Sequence, residues 1–440
     1  MHHYSEKTFD SMIELLRQRT IEQPDYATYT FLVEDMAESL LTNAELDREA
    51  RRIGAYLQQI GAEGERVLLL YPPGLDYIAA FFGCLYGGCV AVPTYPPRFN
   101  RPMPLLQNIV KDSQAKIVLT TPDIKMNAER RLALAPYLKD LVWVSSDDLA
   151  AVDAETWRYP AITGDSLAFL QYTSGSTGNP KGVMVSHSNL LHNLHQIKQA
   201  FGHTSESQGV IWLPPYHDMG LIGGILQPLY SGFSVVLMSP TAFLQKPFAW
   251  LKAISHYRAT TSGGPNFAYD LCVEKITKEQ RKTIDLRCWQ VAFNGAEPVH
   301  ANTLARFTEA FSPCGFRREA FYPCYGMAEG TLFISGNRAL TPYEICHVEN
   351  TSLEKNHISL LKTNDSDAKA IVGCGRPFAG QEIAIVDPET CELCAPNEVG
   401  EVWVCGQSVA QGYWNRPELS QATFYAHISD DGSRPFLRTG

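Results

Sequence analysis

The chain has 440 residues, enough for about three structural units at roughly 150 residues each. Acidic residues number 47 against 37 basic ones, a formal net charge of −10 with no Lys/Arg-rich run against it, which excludes nucleic acid as the main partner. Apolar residues make up 45% and charged residues 19%, a balance that excludes disorder and coiled coil and permits a large core with an apolar cavity.

Residues 1–10 carry no apolar core, so no secretion signal is expected there. Eleven cysteines, an odd number scattered without a framework, read as reduced thiols and a cytoplasmic location. Cys391 and Cys394 form one close pair, but no second Cys or His pair follows at metal-ligand spacing, and the segment reads as a turn.

Thr42 with Glu45 predicts a capping box, followed by a helix whose apolar residues Leu46, Ala50, Ile53, Leu57 and Ile60 recur every three or four positions until Gly61. Residues 66–71 then read as a strand buried on both faces. Two long uncharged stretches, 77–97 and 219–245, are broken by Gly87-Gly88, and by Gly223-Gly224, Pro228 and Ser231-Gly232. Each predicts a buried helix, a glycine turn and a buried strand in a soluble protein, not a membrane span. Short apolar strands recur at 116–120, 141–144, 234–238 and 289–293, and their alternation with helical segments predicts parallel sheets with helices on both faces.

After about residue 371 the texture changes. Strands at 382–386 and 400–404 lie close to a turn-rich stretch, 412–417, and predict a smaller antiparallel unit spanning 371–440. The preceding 339–370 segment carries Glu344, Glu349, Glu354, Lys355, Lys362, Asp365, Asp367 and Lys369 and reads as a polar insertion with one short strand at 358–361.

The strongest chemical signal is the run from Leu170 to Gly182. Thr173, Ser174, Ser176 and Thr177 sit among Gly175 and Gly178 after a strand, with Lys181 just beyond. Backbone N–H groups and hydroxyls in such a loop can wrap phosphate oxygens, and a lysine supplies a point charge. The chain has no Gly-Lys dipeptide and hence no Walker A loop, and it has no Gly-x-Gly-x-x-Gly, His-Glu-x-x-His or Gly-x-Ser-x-Gly.

The 173–182 run, with Tyr325-Gly-Met-Ala-Glu329 and the 400–406 segment, resembles the adenylate-forming superfamily over nearly the whole chain. The segments 92–97, 212–220, 263–267 and 385–390 resemble its fatty acyl-AMP ligase branch. The resemblance implies an α/β fold of two parallel-sheet subdomains plus a small β-barrel-like subdomain. It implies a reaction as well: ATP-dependent activation of a long-chain fatty acid to acyl-adenylate, with Mg²⁺ as cofactor and transfer to the phosphopantetheine of an acyl carrier protein, as in polyketide or lipopeptide biosynthesis. A fatty carboxylate is ionised at neutral pH and can attack the α-phosphorus without a general base.

Carried onto this sequence, the resemblance implies that Thr173, Ser174, Gly175, Ser176, Thr177, Gly178 and Lys181 hold the β- and γ-phosphates. Glu329 would ligate Mg²⁺, and His217 would orient the carboxylate. Asn294, Gly295, Ala296 and Glu297 would line the adenine, with Tyr325 stacked on it and Gly326, Met327 and Ala328 beside the nucleotide. Ala328 stands where the superfamily usually has Thr, a feature of the acyl-AMP ligase branch. The acyl slot would draw on Met219, Ile222, Gly223, Gly263, Gly264 and Phe267. The 339–370 insertion would restrict the rotation that creates a CoA site. In the superfamily an Asp follows the final Thr-Gly, then a small catalytic domain, so the sequence is expected to be the N-terminal part of a longer protein or synthase and impaired alone. A long-chain acyl-CoA ligase on the same fold, or a non-catalytic adenylate- or lipid-binding scaffold, are the alternatives.

Overall fold

A computed structural model describes residues 9–33, 37–96, 103–131, 136–173, 180–362, 367–429 and 431–440. Near the start, Ser11 accepts the Glu14 N–H and caps the helix Met12–Glu22. Both arms of the Thr42–Glu45 capping box are made, and they open the helix Asn43–Gln59 with Leu46, Ala50, Ile53 and Leu57 buried.

Six strands form one sheet in the order Val142–Ser145, Ile117–Thr120, Arg66–Leu70, Val90–Pro93, Leu167–Thr173, Lys181–Ser186. The first five run parallel and the last is antiparallel to its neighbour. A second sheet has the order Phe321–Pro323, Val291–Asn294, Thr261–Gly263, Gln208–Ile211, Ser234–Met238, Tyr29–Leu32, Glu38–Leu41, parallel except at its final edge. The central strands are apolar because both faces are covered: Val67, Leu68, Leu69 and Leu70 have no exposed surface. The two uncharged stretches fold as their sequences predict. The helix Leu75–Tyr86 turns at Gly87 and Gly88 into Val90–Pro93, and a π-helix, Met219–Leu226, runs through Gln227–Ser231 and Gly232 into Ser234–Met238. Among the described residues no helix is long and apolar enough to cross a membrane.

The strands Gln381–Val386, Glu401–Gly406, Asp431–Arg438 and Ala426–Ile428 form a four-stranded antiparallel sheet in that order. This sheet is the small subdomain expected after residue 371. One apolar face suffices to bury Ala384, Val386, Trp403, Ile428 and Phe436 in a cluster of their own. The polar insertion differs from expectation. Its strands are Ile345–Glu349 and Ala368–Val372, paired antiparallel, whereas 358–361 supplies only a single bridge, Val348 to Leu360, with Leu360 68% exposed. With so little to bury, that segment gains nothing from pairing further.

Candidate active site

Antiparallel pairing sets Thr173 opposite Lys181, so the run between them leaves and re-enters the sheet at neighbouring points. Ser174, Gly175, Ser176, Thr177 and Gly178 lie outside the described residues. Thr173 and Lys181 line a cavity of about 740 Å³, together with His217, Met219, Gly223, Gly295, Ala296 and the whole of Tyr325-Gly-Met-Ala-Glu329.

Glu329 reaches this cavity from a tight turn. Tyr325–Gly326 pairs with Phe333–Ser335, and a Cβ on Gly326 would lie 1.9 Å from the Leu332 carbonyl oxygen, so only glycine permits that approach. The chain then turns through Ala328–Gly330 to Thr331, whose φ of 69° and ψ of −62° are rare for a β-branched residue. Strain of this kind persists where surrounding bonds over-determine it. Here the Thr331 N–H donates to the Ala328 carbonyl at 2.9 Å and its hydroxyl to the Ser408 carbonyl at 2.6 Å. Glu329 is consequently held at 8% exposure, with its carboxylate accepting the Tyr413 hydroxyl at 2.7 Å.

His217 sits at the end of a Pro214-Pro215 turn, where a Cβ on Gly220 would lie 2.0 Å from the Pro214 carbonyl oxygen. Its Nδ1 is 2.5 Å from Asp218 Oδ1, which also accepts the Met219 N–H at 2.7 Å. That hydrogen bond raises the imidazole's pKa above its ordinary value, against the opposing effect of burial. The π-helix that follows turns Met219 and Gly223 toward the cavity and buries Ile222 completely in the core. Beyond Gly223 a Cβ would meet only Leu332, at 3.5 Å. Apolar lining continues with Ile197, Phe201 and Phe333, and Phe201 packs 6.1 Å from both Phe293 and Phe333.

Several predicted residues stand behind the cavity and are not among those lining it. Asn294 is fully buried and donates to Asn266 Oδ1 at 3.1 Å, while Glu297 Oε1 accepts the Asn266 N–H at 2.8 Å, so both shape the Gly295-Ala296 loop from the rear. Gly263 abuts the Phe293 carbonyl, Gly264 abuts Trp212, and Phe267 is 47% exposed against Trp212. Gly263 is required by close packing: a Cβ there would lie 2.2 Å from the Phe293 carbonyl oxygen.

Sequence reading missed Tyr413, Glu401 and Arg438, which line the cavity from the C-terminal quarter. Arg438 Nη2 donates to Glu401 Oε2 at 2.7 Å and the Gly440 N–H to Oε1 at 2.9 Å. Burial opposes the charge on Glu401, but these bonds hold its pKa below the ordinary carboxylate value. A signal for Tyr413 existed, an aromatic residue after Gly412 in the turn-rich stretch.

The AMP-binding enzyme family profile matches residues 16–414, and the chain belongs to that family. It is 44% identical over 443 residues to the medium-chain-fatty-acid–[acyl-carrier-protein] ligase JamA of Moorena producens, covering 99% of this chain and 75% of that one. The chain is also 35% identical to the putative fatty-acid–CoA ligase FadD21 of Mycobacterium tuberculosis, covering 98% of this chain and 76% of that one. Among solved structures, the fatty acyl-adenylate ligase of Legionella pneumophila in complex with acyl adenylate and pyrophosphate superposes with a TM-score of 0.91 at 43% identity, covering 98% of this chain and 74% of that one.

Proposed function

We propose that the protein activates a medium- or long-chain fatty acid with ATP, forming acyl-adenylate and pyrophosphate, and passes the acyl group to an acyl carrier protein. The observation that carries this reading is one cavity joining Lys181 and Glu329 to the apolar surfaces of Met219, Gly223, Leu332 and Phe333. In it the ionised carboxylate forms a bond to the α-phosphorus while the bond from that phosphorus to the β-phosphate oxygen breaks. Pyrophosphate leaves with the electron pair, so no proton needs to move.

The chain's residues then have distinct tasks. Thr173 and Lys181, with the adjoining 174–178 run, hold the phosphate oxygens, and Lys181 offsets charge that grows on the leaving pyrophosphate. His217, held by the hydrogen bond to Asp218 that raises its pKa, orients the carboxylate. Gly295, Ala296 and Tyr325 flank the adenine, Gly326, Met327 and Ala328 adjoin the nucleotide, and Met219 and Gly223 face the acyl chain. Glu329 would hold Mg²⁺ as its ligand, and Mg²⁺ when bound would neutralise charge on the phosphates. Among the described residues no group of three His, Cys, Asp or Glu could hold a metal, and a single carboxylate beside a lysine fits an ion that arrives with its nucleotide.

Transfer to a carrier protein in preference to free CoA rests on two relatives named as carrier-protein ligases, JamA and the 34% identical TtuA of Teredinibacter turnerae. The insertion supports it. The Ile358 N–H donates to the Asn397 carbonyl at 2.8 Å and the Val399 N–H to the Asn356 carbonyl at 2.9 Å, fastening the segment to the small sheet's turn. FadD21's name favours CoA as the second reading. Incubating the protein with radiolabelled fatty acid, ATP, Mg²⁺ and either phosphopantetheinylated carrier protein or CoA separates the two. Acyl-carrier product with little acyl-CoA is expected, and rapid acyl-CoA formation overturns the assignment.

A further inference from the structure

Tyr413 reaches the site from far along the chain, and its placement is built in detail. The segment around it lies along the edge strand Lys181–Ser186 as an added strand. The Met184 N–H donates to the Gly412 carbonyl at 2.9 Å, Gln411 N–H to Met184 at 3.0 Å and Trp414 N–H to Gly182 at 2.7 Å. The Tyr413 N–H is fixed by Ser420 Oγ at 2.8 Å, and the Ala410 N–H donates to the carbonyl of Glu329 itself at 2.9 Å. Tyr413 is 4% exposed and packs edge-on against Phe424, with ring centres 5.0 Å apart.

From this position one side chain touches both functional groups. Its hydroxyl donates to Glu329 Oε1 at 2.7 Å, and its ring lies under Lys181 Nζ, 5.0 Å from the ring centre. The phenol is an O–H donor to that oxygen and carries no charge of its own. Among the described residues the Glu329 carboxylate has no other hydrogen-bond partner, so Oε2 is left for a cation. A neutral donor on one carboxylate oxygen fixes the group's rotation without cancelling its charge, and a π-face holds an ammonium without pairing it to an anion.

We infer that Tyr413 is a positioning residue that presents Glu329 to the metal and Lys181 to the triphosphate, acting through both by its hydroxyl and its ring. The inference rests on the reading of Glu329 and Lys181 given above, and its test separates the two.

Mn²⁺ serves as the probe, with its binding to the protein–ATP complex followed by electron paramagnetic resonance, a readout independent of turnover. Tyr413→Phe keeps the ring and should weaken Mn²⁺ binding about tenfold, the scale of one hydrogen bond to a charged group, while ATP affinity without metal is unchanged. In the double variant Tyr413→Phe/Glu329→Gln the tyrosine change should have no further effect, because the hydroxyl acts only through that carboxylate. Wild-type Mn²⁺ binding in Tyr413→Phe, or additive losses in the double variant, overturns the inference. Glu329→Gln binding Mn²⁺ as the parent does overturns the metal-ligand reading instead, and the inference with it. A merely structural tyrosine would lower thermal stability without changing the metal affinity of the folded fraction.

Discussion

The Thr331 hydroxyl donates to the Ser408 carbonyl across 2.6 Å, with both residues entirely buried, and so ties the turn that carries Glu329 to the loop that carries Tyr413. The same loop is gripped from the helix His187–Phe201. Asn189 donates to the Gln407 and Val409 carbonyls at 2.8 and 3.0 Å, and His192 Nδ1 lies 2.7 Å from Ser408 Oγ. Thr331→Val keeps the shape but leaves a buried carbonyl unpaired, so it should lower unfolding free energy by about 2 kcal/mol. Urea denaturation followed by circular dichroism measures this, and an unchanged midpoint would show that the bond contributes nothing.

Lys181→Ala and Glu329→Gln should each reduce fatty-acid-dependent ATP–pyrophosphate exchange more than about tenfold, roughly 1.4 kcal/mol of transition-state stabilisation, with unchanged circular dichroism. Both act on phosphates and their metal and not on packing. Near-parental exchange in both proteins would show that neither side chain acts on the phosphates or their metal.

His217 provides a pH signature. Its hydrogen bond to Asp218 raises the folded-state pKa above the ordinary value near 6.5, so the imidazolium is favoured in the folded protein. Stability from this charge is fully present below the unfolded value and is lost as pH rises through the folded one. Fatty-acid affinity should fall over the same window. Asp218→Asn should return the imidazole toward its ordinary pKa and move that fall to lower pH. Nuclear magnetic resonance titration of the His217 ring reads the shift directly, and equal pKa values in the two proteins contradict it.

Two glycines three residues apart should behave oppositely. A methyl on Gly220 meets the Pro214 backbone at 2.0 Å, which cannot yield cheaply, so Gly220→Ala should cost about 3 kcal/mol or prevent folding. A methyl on Gly223 meets only Leu332 at 3.5 Å, so Gly223→Ala should keep parental stability while narrowing the cavity. Thermal melts of the two proteins provide the comparison, and equal melting temperatures would refute it.

Much of the fold was legible because its signals are local. The Thr42–Glu45 box, the unbroken apolar runs at 66–71 and 234–238 and the glycine turns at 87–88 each depend on neighbours in sequence. The strand expected at 358–361 is reduced to one bridge with Val348, flanked by the Glu349 N–H to Ser359 and Leu361 N–H to His347 bonds. Lys181, Glu329 and His217, which line the cavity, each lie in a motif that local sequence displays. Tyr413 was not legible, since its place depends on the loop 407–413 being carried back onto the edge strand Lys181–Ser186, and Glu401 was not, since it meets Arg438 and Gly440 only once the small sheet has paired. Gly263 and Gly264 show a related limit of local reading: a glycine required by close approach of Phe293 or Trp212 looks in sequence like one required by a ligand.

Mass spectrometry of the purified protein with ATP, Mg²⁺ and fatty acids of graded chain length tests the central claim most directly. Acyl-AMP should appear in step with pyrophosphate for medium- or long-chain acids and disappear in Lys181→Ala and Glu329→Gln. Absence of acyl-AMP with every acid, from folded protein that still binds ATP, would contradict the assignment of this cavity to fatty-acid adenylation.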